Sequence, residues 1–322
     1  MVSEKKNSIS QPAWGATAAS ILNGCFGDYL NDRDNGLAID MAFYQNNRPL
    51  ELSADALRAA CPNPTDKLCV LVHGLCCHEG VWDFPGDPVR SYGRALQHDL
   101  GYTPFALRYN TGLPIPYNGQ VLDTLLEQLL AAYSGPVDEL ILIGHSMGGW
   151  IALNLAVDHR EKIDSIIIAG ASTRVVSPLG PGRPLHFLVP LIGKLANKMD
   201  WVPVYADTGL AQSDPSYRWV PMDSTIQLFD FMKATQKRLS EVNIPIQILH
   251  SKNDSMNSPE GAKTLYDSIS TPKDQKRLVW FEQTGHYMFL DCEREEVNRT
   301  VVEFVKERIE NQSILVHMAK QL

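Results

Sequence analysis

Several things are scarce in this chain of 322 residues. It has six cysteines, at 25, 61, 69, 76, 77 and 292, and their spacing forms no disulfide framework. Cys69 falls in a run with the pattern of a buried strand, and the neighbours Cys76 and Cys77 would close only a strained ring with each other. Reduced thiols and a cytoplasmic location are therefore expected. No apolar run approaches the length that crosses a membrane. The basic pair Lys5-Lys6 has no apolar stretch behind it, and Gln11-Pro12-Ala13-Trp14-Gly15 breaks the segment, so no secretory signal is read. Lys and Arg nowhere cluster, and the net charge is −8. Nucleic acid is excluded as an expected partner, and the acidity mainly favours solubility. Internal repeats and low-complexity tracts are also lacking.

What is present suits a globular core: 44% of residues are hydrophobic and 20% charged. The length accommodates one large α/β domain with an insertion, or two smaller ones. Residues 1–35 read as a polar tail followed by a short helix over 16–29. The stretches 37–44 and 50–52 flank Gln45-Asn46-Asn47-Arg48-Pro49 and predict an antiparallel hairpin. From Lys67 strands and helices alternate. Apolar runs at 68–72, 103–108, 140–143, 163–169, 246–249 and 278–281 predict strands, with helices at 121–133 and 297–309. This alternation predicts a mostly parallel central sheet with helices on both faces. Between 174 and 242 it stops, in a segment rich in Pro and aromatics with a helical run at 224–239. The expected organisation is an N-terminal extension with helix and hairpin (1–66), a core (67–173 and 243–315) and an inserted cap (174–242).

The most informative stretch is Gly144-His145-Ser146-Met147-Gly148, a G-x-S-x-G pentapeptide between a strand-like run and a helix-like run. A serine on such a corner is held out from the backbone, where it can attack a carbonyl. Serine is a weak nucleophile and needs a base within hydrogen-bond reach, itself oriented by a third group. On this kind of sheet the acid and then the histidine follow the serine along the chain. Downstream lie His159, His186, His250, His286 and His317. His286 is the expected base, because Glu282-Gln283-Thr284-Gly285-His286 follows a strand and puts it at a carboxyl edge, where sites on open parallel sheets lie. His250 is its main competitor. Asp254, a turn beyond the 246–249 strand, is the expected acid; Asp214, Asp223 and Asp230 fall in the inserted segment and are weaker candidates. An oxyanion hole needs two backbone N–H groups, expected from Met147, directly after the serine, and from Leu75, in the loop after the first core strand. Such a donor is worth roughly 3–4 kcal/mol in the transition state.

His73-Gly74, Gly144-His145-Ser146-Met147-Gly148-Gly149, Ser251-Lys252-Asn253-Asp254 and Gly285-His286 together resemble the motif set of the α/β-hydrolase superfamily over residues 67–309. Gly285-His286-Tyr287-Met288-Phe289-Leu290-Asp291 is similar to the bacterial carboxylesterases and monoacylglycerol lipases. Arg108-Tyr109-Asn110-Thr111-Gly112 is similar to a bacterial esterase/lipase-like group. The resemblance implies the α/β-hydrolase fold and ester hydrolysis through an acyl-enzyme, with no cofactor, on a small-molecule or lipid-like ester. His73-Gly74 is followed by Leu75 rather than more glycines, unlike the oxyanion loops of some esterases, which speaks against bulky tertiary-alcohol esters. Other acyl transfers on the same triad (amidase, thioesterase, acyltransferase) and a non-catalytic binding protein of this fold are the alternatives.

Blander readings stand beside the sharper ones. His145 and His73 read as structural. Cys76-Cys77-His78-Glu79 has no second ligand pair at zinc spacing, so no metal is expected. Oxidation of Cys76 or Cys77 near the oxyanion loop is weighed against plain apolar packing, which is favoured. Arg108 and Asn110 read as a structural turn more readily than as substrate contacts. Leu185-His186-Phe187-Leu188-Val189-Pro190-Leu191-Ile192 either lines an acyl pocket or lipid contact, or packs the insert on the core.

Overall fold

A computed structural model describes residues 13–87, 89–195, 198–200, 205–213 and 219–319. The expected polar tail over residues 1–12 and the weaker acid candidate Asp214 lie outside them. In chain order the elements are α1 (Ala13–Asp32), β1 (Ala42–Gln45), β2 (Arg48–Pro49), α2 (Ala54–Ala60), β3 (Lys67–Val72), α3 (Tyr92–Leu100), β4 (Thr103–Arg108) and α4 (Ile115–Ala132). There follow β5 (Glu139–His145), α5 (Met147–Asp158), β6 (Ser165–Ala169), α6 (Val189–Leu195), β7 (Lys198–Asp200), α7 (Thr208–Ser213), β8 (Trp219–Pro221) and α8 (Met222–Gln236). The chain closes with β9 (Ile246–Ser251), α9 (Pro259–Ser268), β10 (Lys276–Phe281) and α10 (Arg294–Ala319).

Eight strands form one sheet in the order β10-β9-β6-β5-β3-β4-β1-β2, in which β10 through β4 run parallel and β1 and β2 are antiparallel. The middles of the central parallel strands are largely apolar because both faces are covered. Side chains alternate with period two. Leu68, Val70, Leu140, Leu142, Ile166, Ile168, Ile246 and Ile248 join α4, α5 and α8 in one core cluster. Cys69, Leu71, Ile141, Ile143, Ile167 and Leu249 meet α3 and α10 on the other face. This is the α/β-hydrolase architecture that the sequence pattern implies.

The departures have local causes. The hairpin is shorter than expected on its first strand: Asn23 of α1 donates to the Leu37 carbonyl (2.7 Å) and accepts from the Ile39 N–H (2.8 Å), taking 37–39 away from any ladder. Its turn residues Asn46 and Asn47 both have positive φ (51° and 58°), the tight turn that asparagine tolerates and that matches strand twist. The hairpin pairs Ala42 through Tyr44 with β4, so it extends the main sheet. Helix α4 begins at Ile115 rather than near 121. Pro116, Asn118 and Gly119 look like breakers, but proline in a first helical turn removes no hydrogen bond. Between β6 and β9 the helical run expected at 224–239 forms as α8, and the segment adds α6, α7 and the antiparallel pair β7-β8, which alternation alone had not indicated.

One buried ion pair ties the hairpin to the core. Arg108 Nε donates to Glu79 Oε2 (2.6 Å), its Nη2 donates to Glu79 and to Asn47, and its guanidinium lies 4.0 Å from the Tyr44 ring centroid. Burial alone would raise the Glu79 carboxyl, but hydrogen bonding to His78 and Arg108 and the Arg108 charge win, lowering it to about 2. Because the folded value lies below the ordinary one, the associated stability is present above about pH 4.5 and is lost as pH falls toward 2. Glu79→Gln is expected to destabilise the protein by about 3 kcal/mol at pH 7, by leaving Arg108 buried without its countercharge. Urea unfolding at pH 7 and pH 3 checks this: the gap between the two proteins must narrow at the lower pH.

Candidate active site

Strand β5 ends at His145 and α5 starts at Met147, so Ser146 alone makes the corner. Its backbone sits at φ 53°, ψ −113°, a conformation that side chains other than glycine rarely adopt. Its N–H donates to the Ala169 carbonyl at the end of β6 (2.8 Å). The corner is tight enough to dictate its glycines. A Cβ on Gly144 would lie 2.5 Å from the Gly148 carbonyl oxygen, and one on Gly148 would collide with the Val72 carbonyl oxygen. His145 and Met147 are buried while Ser146 stays partly exposed, so the sharp turn presents only the serine.

Two further loops at the carboxyl edge bring up the expected base and acid. His286 Nδ1–H donates to Asp254 Oδ2 at 2.8 Å, with both side chains buried. The other carboxylate oxygen accepts from the Met256 and Asn257 N–H groups, each at 2.9 Å. Burial pushes the Asp254 carboxyl up, but the His286 charge and hydrogen bond outweigh it, and the carboxyl is held below its ordinary value. The loops are laced together: Ser251 Oγ donates to the Thr284 carbonyl, and Asn253 Nδ2 donates to the Glu282 carbonyl (2.5 Å). His286 meets the serine corner through its neighbour. His145 Nε2–H donates to the His286 carbonyl (3.1 Å), and a Cβ on Gly170, directly after the Ala169 anchor, would lie 3.2 Å from His286 Cε1. Burial lowers His145 to about 3, so its ring is neutral and structural.

The loop after β3 closes the other side. Gly74 packs against the corner, where a Cβ would come within 3.2 Å of Ser146 Cβ, and Leu75 follows it. Met147, at the head of α5, has an N–H without an intrahelical acceptor. Residues that were not singled out in the sequence hold this loop. Tyr109 donates its hydroxyl to the His73 carbonyl (2.7 Å) and stacks on the His73 ring, with centroids 4.4 Å apart. Thr111 Oγ1 accepts from the Cys76 N–H (3.0 Å), fixing a residue with φ of 59°. His73 is driven neutral by burial, to about 3, and its Nδ1–H donates to the Gly74 carbonyl.

The remaining candidates are engaged elsewhere. His250 Nε2–H donates to the Asn257 carbonyl (3.1 Å) and lies 3.9 Å from Asp254; burial lowers its pKa. His159 pairs with Asp123 (2.7 Å), and His186 Nδ1–H donates to the Leu179 carbonyl (2.8 Å). Asp223 and Asp230 are exposed on α8, the latter paired with Lys233. Cys76 hydrogen-bonds with Cys25 of α1, and that bond and burial keep its thiol well above the ordinary value, away from the reactive thiolate. Asn110 bridges Gly27 and Gly112, a structural role like that of Arg108. Among the described residues no group of His, Cys, Asp and Glu side chains could hold a metal ion. A cleft of about 1150 Å³, bordered by Tyr44, His78, Arg90 and Arg108, contains none of Ser146, Asp254 and His286.

The profile of the family described as serine aminopeptidase, S33, matches residues 121–293. The chain is 30% identical over 260 residues to a carboxylesterase of Bacillus subtilis, spanning 75% of this chain and 93% of the relative. It is 26% identical over 211 residues to a monoglyceride lipase of Saccharomyces cerevisiae, spanning 58% and 65%. Among solved structures, a monoacylglycerol lipase of Paleococcus ferrophilus shares the fold, with a TM-score of 0.58 at 19% identity over 76% of this chain and 96% of that one.

The packing of the corner can be tested without reference to activity. Gly148→Ala places its Cβ against fixed backbone and is expected to lose about 3 kcal/mol or more of stability. Gly119→Ala, in α4 with open space around its Cβ, is expected to gain about 0.5–1 kcal/mol. Urea midpoints of the two variants should move in opposite directions; a wild-type midpoint for Gly148→Ala contradicts the crowding.

Proposed function

Because the chain belongs to the serine aminopeptidase S33 family of α/β-hydrolases, we propose that it hydrolyses carboxylic esters through a serine acyl-enzyme. The observation that carries the reading is the buried Asp254–His286 pair delivered beside a serine with a φ of 53°. Ser146 Oγ attacks the ester carbonyl and its proton passes to His286 Nε2. Asp254 holds the imidazole in the required tautomer and stabilises the imidazolium. The N–H groups of Leu75 and Met147 receive the oxyanion. His286 returns the proton to the departing alkoxide, which leaves as the alcohol. Water then attacks the acyl-enzyme, giving its proton to His286, and the acid departs as Ser146 recovers a proton. His145 and His250, both shifted toward neutrality by burial, take no part in these transfers.

The substrate class is proposed to be small or lipid-like esters, with residues 174–242 acting as a cap on a core of 67–173 and 243–315 behind the 1–66 extension. Support comes from apolar surface. Val189, Phe229 and Met232 of the insert are buried in the same apolar cluster as Leu75 and Met147, so the insert packs on the core through apolar side chains. On the outer side Phe187, Leu191 and Leu195, spaced by four, are 74%, 55% and 79% exposed. The relatives named carboxylesterase and monoglyceride lipase favour the same class. None of the six cysteines is in a disulfide, in keeping with the proposed cytoplasmic location. The family description favours a second reading, amide hydrolysis by the same groups.

A panel of 4-nitrophenyl esters of increasing acyl length, set against the matching anilides, separates the two readings by the leaving group preferred. Ser146→Ala should abolish turnover and fluorophosphonate labelling, with kcat falling by about 10⁶. Asp254→Asn should lower kcat by about 10⁴ while the protein stays folded. Ester hydrolysis that survives in Ser146→Ala overturns the mechanism.

A further inference from the structure

Asp291 is buried at the start of the turn into α10 and makes no ion pair among the described residues, yet its carboxylate is fully used. Oδ2 accepts from the Gly285 N–H and the Ala206 N–H, each at 2.7 Å. Oδ1 accepts from the Asp207 and Cys292 N–H groups, each at 2.8 Å. A carboxylate is an acceptor only, and four backbone donors satisfy it as an ion. Burial would raise its pKa, but these four bonds hold it below the ordinary carboxylate range. One oxygen thus joins two parts of the chain: Gly285, directly before His286, and Ala206, in the strap that leads into α7. The strap is fixed at a second point, where the Tyr205 ring stacks on Tyr287 (5.2 Å, 22°) on the far side of His286. Glu293 provides the contrast. Its carboxylate accepts from the Glu282, Gln283 and Thr284 N–H groups (3.4, 2.9 and 2.7 Å) and so holds the same loop, but, among the described residues, nothing of the insert.

We propose that Asp291 is a positioning residue that locks the insert to the histidine loop, so that the wall contacting the acyl chain and the base that serves the ester keep one fixed separation. The proposal rests on the reading of His286 as the base. A short acyl group needs only Ser146, His286 and the oxyanion donors. A long one also lies against the insert, and misplacement by about 1 Å is enough to cost roughly 10²-fold in rate. Loss of Asp291 should therefore weaken selection for long chains more than hydrolysis itself. Loss of Glu293 disturbs the loop alone and should affect both chain lengths alike.

The test compares kcat/KM for 4-nitrophenyl octanoate and acetate in wild type, Asp291→Asn and Glu293→Gln, together with amide hydrogen exchange. Asp291→Asn is expected to lower the octanoate-to-acetate ratio at least tenfold and to speed exchange at Ala206, Asp207 and Gly285 by at least tenfold. Glu293→Gln should leave the ratio within twofold of wild type and speed exchange only at Glu282, Gln283 and Thr284. Ala206→Pro deletes the strap's donor while keeping Asp291; it should reproduce the loss of ratio and serves if Asp291→Asn fails to fold. Equal losses on both esters in Asp291→Asn, or wild-type exchange at Ala206 and Asp207, overturn the proposal. Activity that persists in Ser146→Ala instead overturns the catalytic reading, whatever the ratios.

Discussion

A serine at φ 53° and ψ −113° persists only where its surroundings leave the chain no cheaper path, because such a backbone costs of order 1–3 kcal/mol. Here the surroundings do so from four sides. Strand β5 enters with every residue buried, α5 leaves with its first turn packed beneath β3, and the Ala169 carbonyl takes the N–H of Ser146 itself. Gly74 presses from the loop after β3. Most of the site follows from that corner. The residue that anchors it is succeeded by Gly170, against which His286 lies, and the residue that presses on it is succeeded by Leu75, one of the proposed oxyanion donors.

Burial then sorts the ionisable groups around the corner. His73, His145 and His250 are each pushed toward neutrality by desolvation, and the first two, together with His250, spend their protonated nitrogen on a backbone carbonyl. Three histidines near the site are thereby made structural by the same physical effect. Of the four histidines around the corner, His286 is the one with a carboxylate within hydrogen-bond distance of its ring nitrogen, at 2.8 Å, and that carboxylate is itself anchored by two N–H groups. The neighbouring loop of 282–285 is held by a pair of carboxylates, Asp291 and Glu293, which accept its successive N–H groups. His286, the proposed base, is thus oriented by acceptors behind it rather than by the rigidity of its own loop, as preorganisation of a reacting group demands.

The central strands were legible because a strand covered on both faces must be mostly apolar, as 140–143, 166–169 and, apart from Gln247, 246–249 are. The elements misjudged were those in which side chains compete with backbone pairing. Asn23 detaches 37–39 from the hairpin, and Pro116 sits where a helix tolerates it. The segment between β6 and β9 was opaque for a different reason. Outside α8, read as a helical run at 224–239, its elements are only three to seven residues long, too short to show a period.

By itself the sequence determined which runs make the central parallel strands and which serine, acid and histidine were candidates, because those depend on local periodicity and on residue types that few positions can supply. Only the tertiary structure decided which histidine faces a carboxylate, for His250 and His286 both follow or end a strand, and the choice turns on a 2.8 Å contact between residues 32 apart. It also decided the place of Asp291. In the sequence that residue is one more acid before a helix; in the fold it accepts four N–H groups from two separate stretches of chain. Long-range pairing of a buried charge leaves no pattern in a sequence, since the donors are backbone groups that every residue but proline carries.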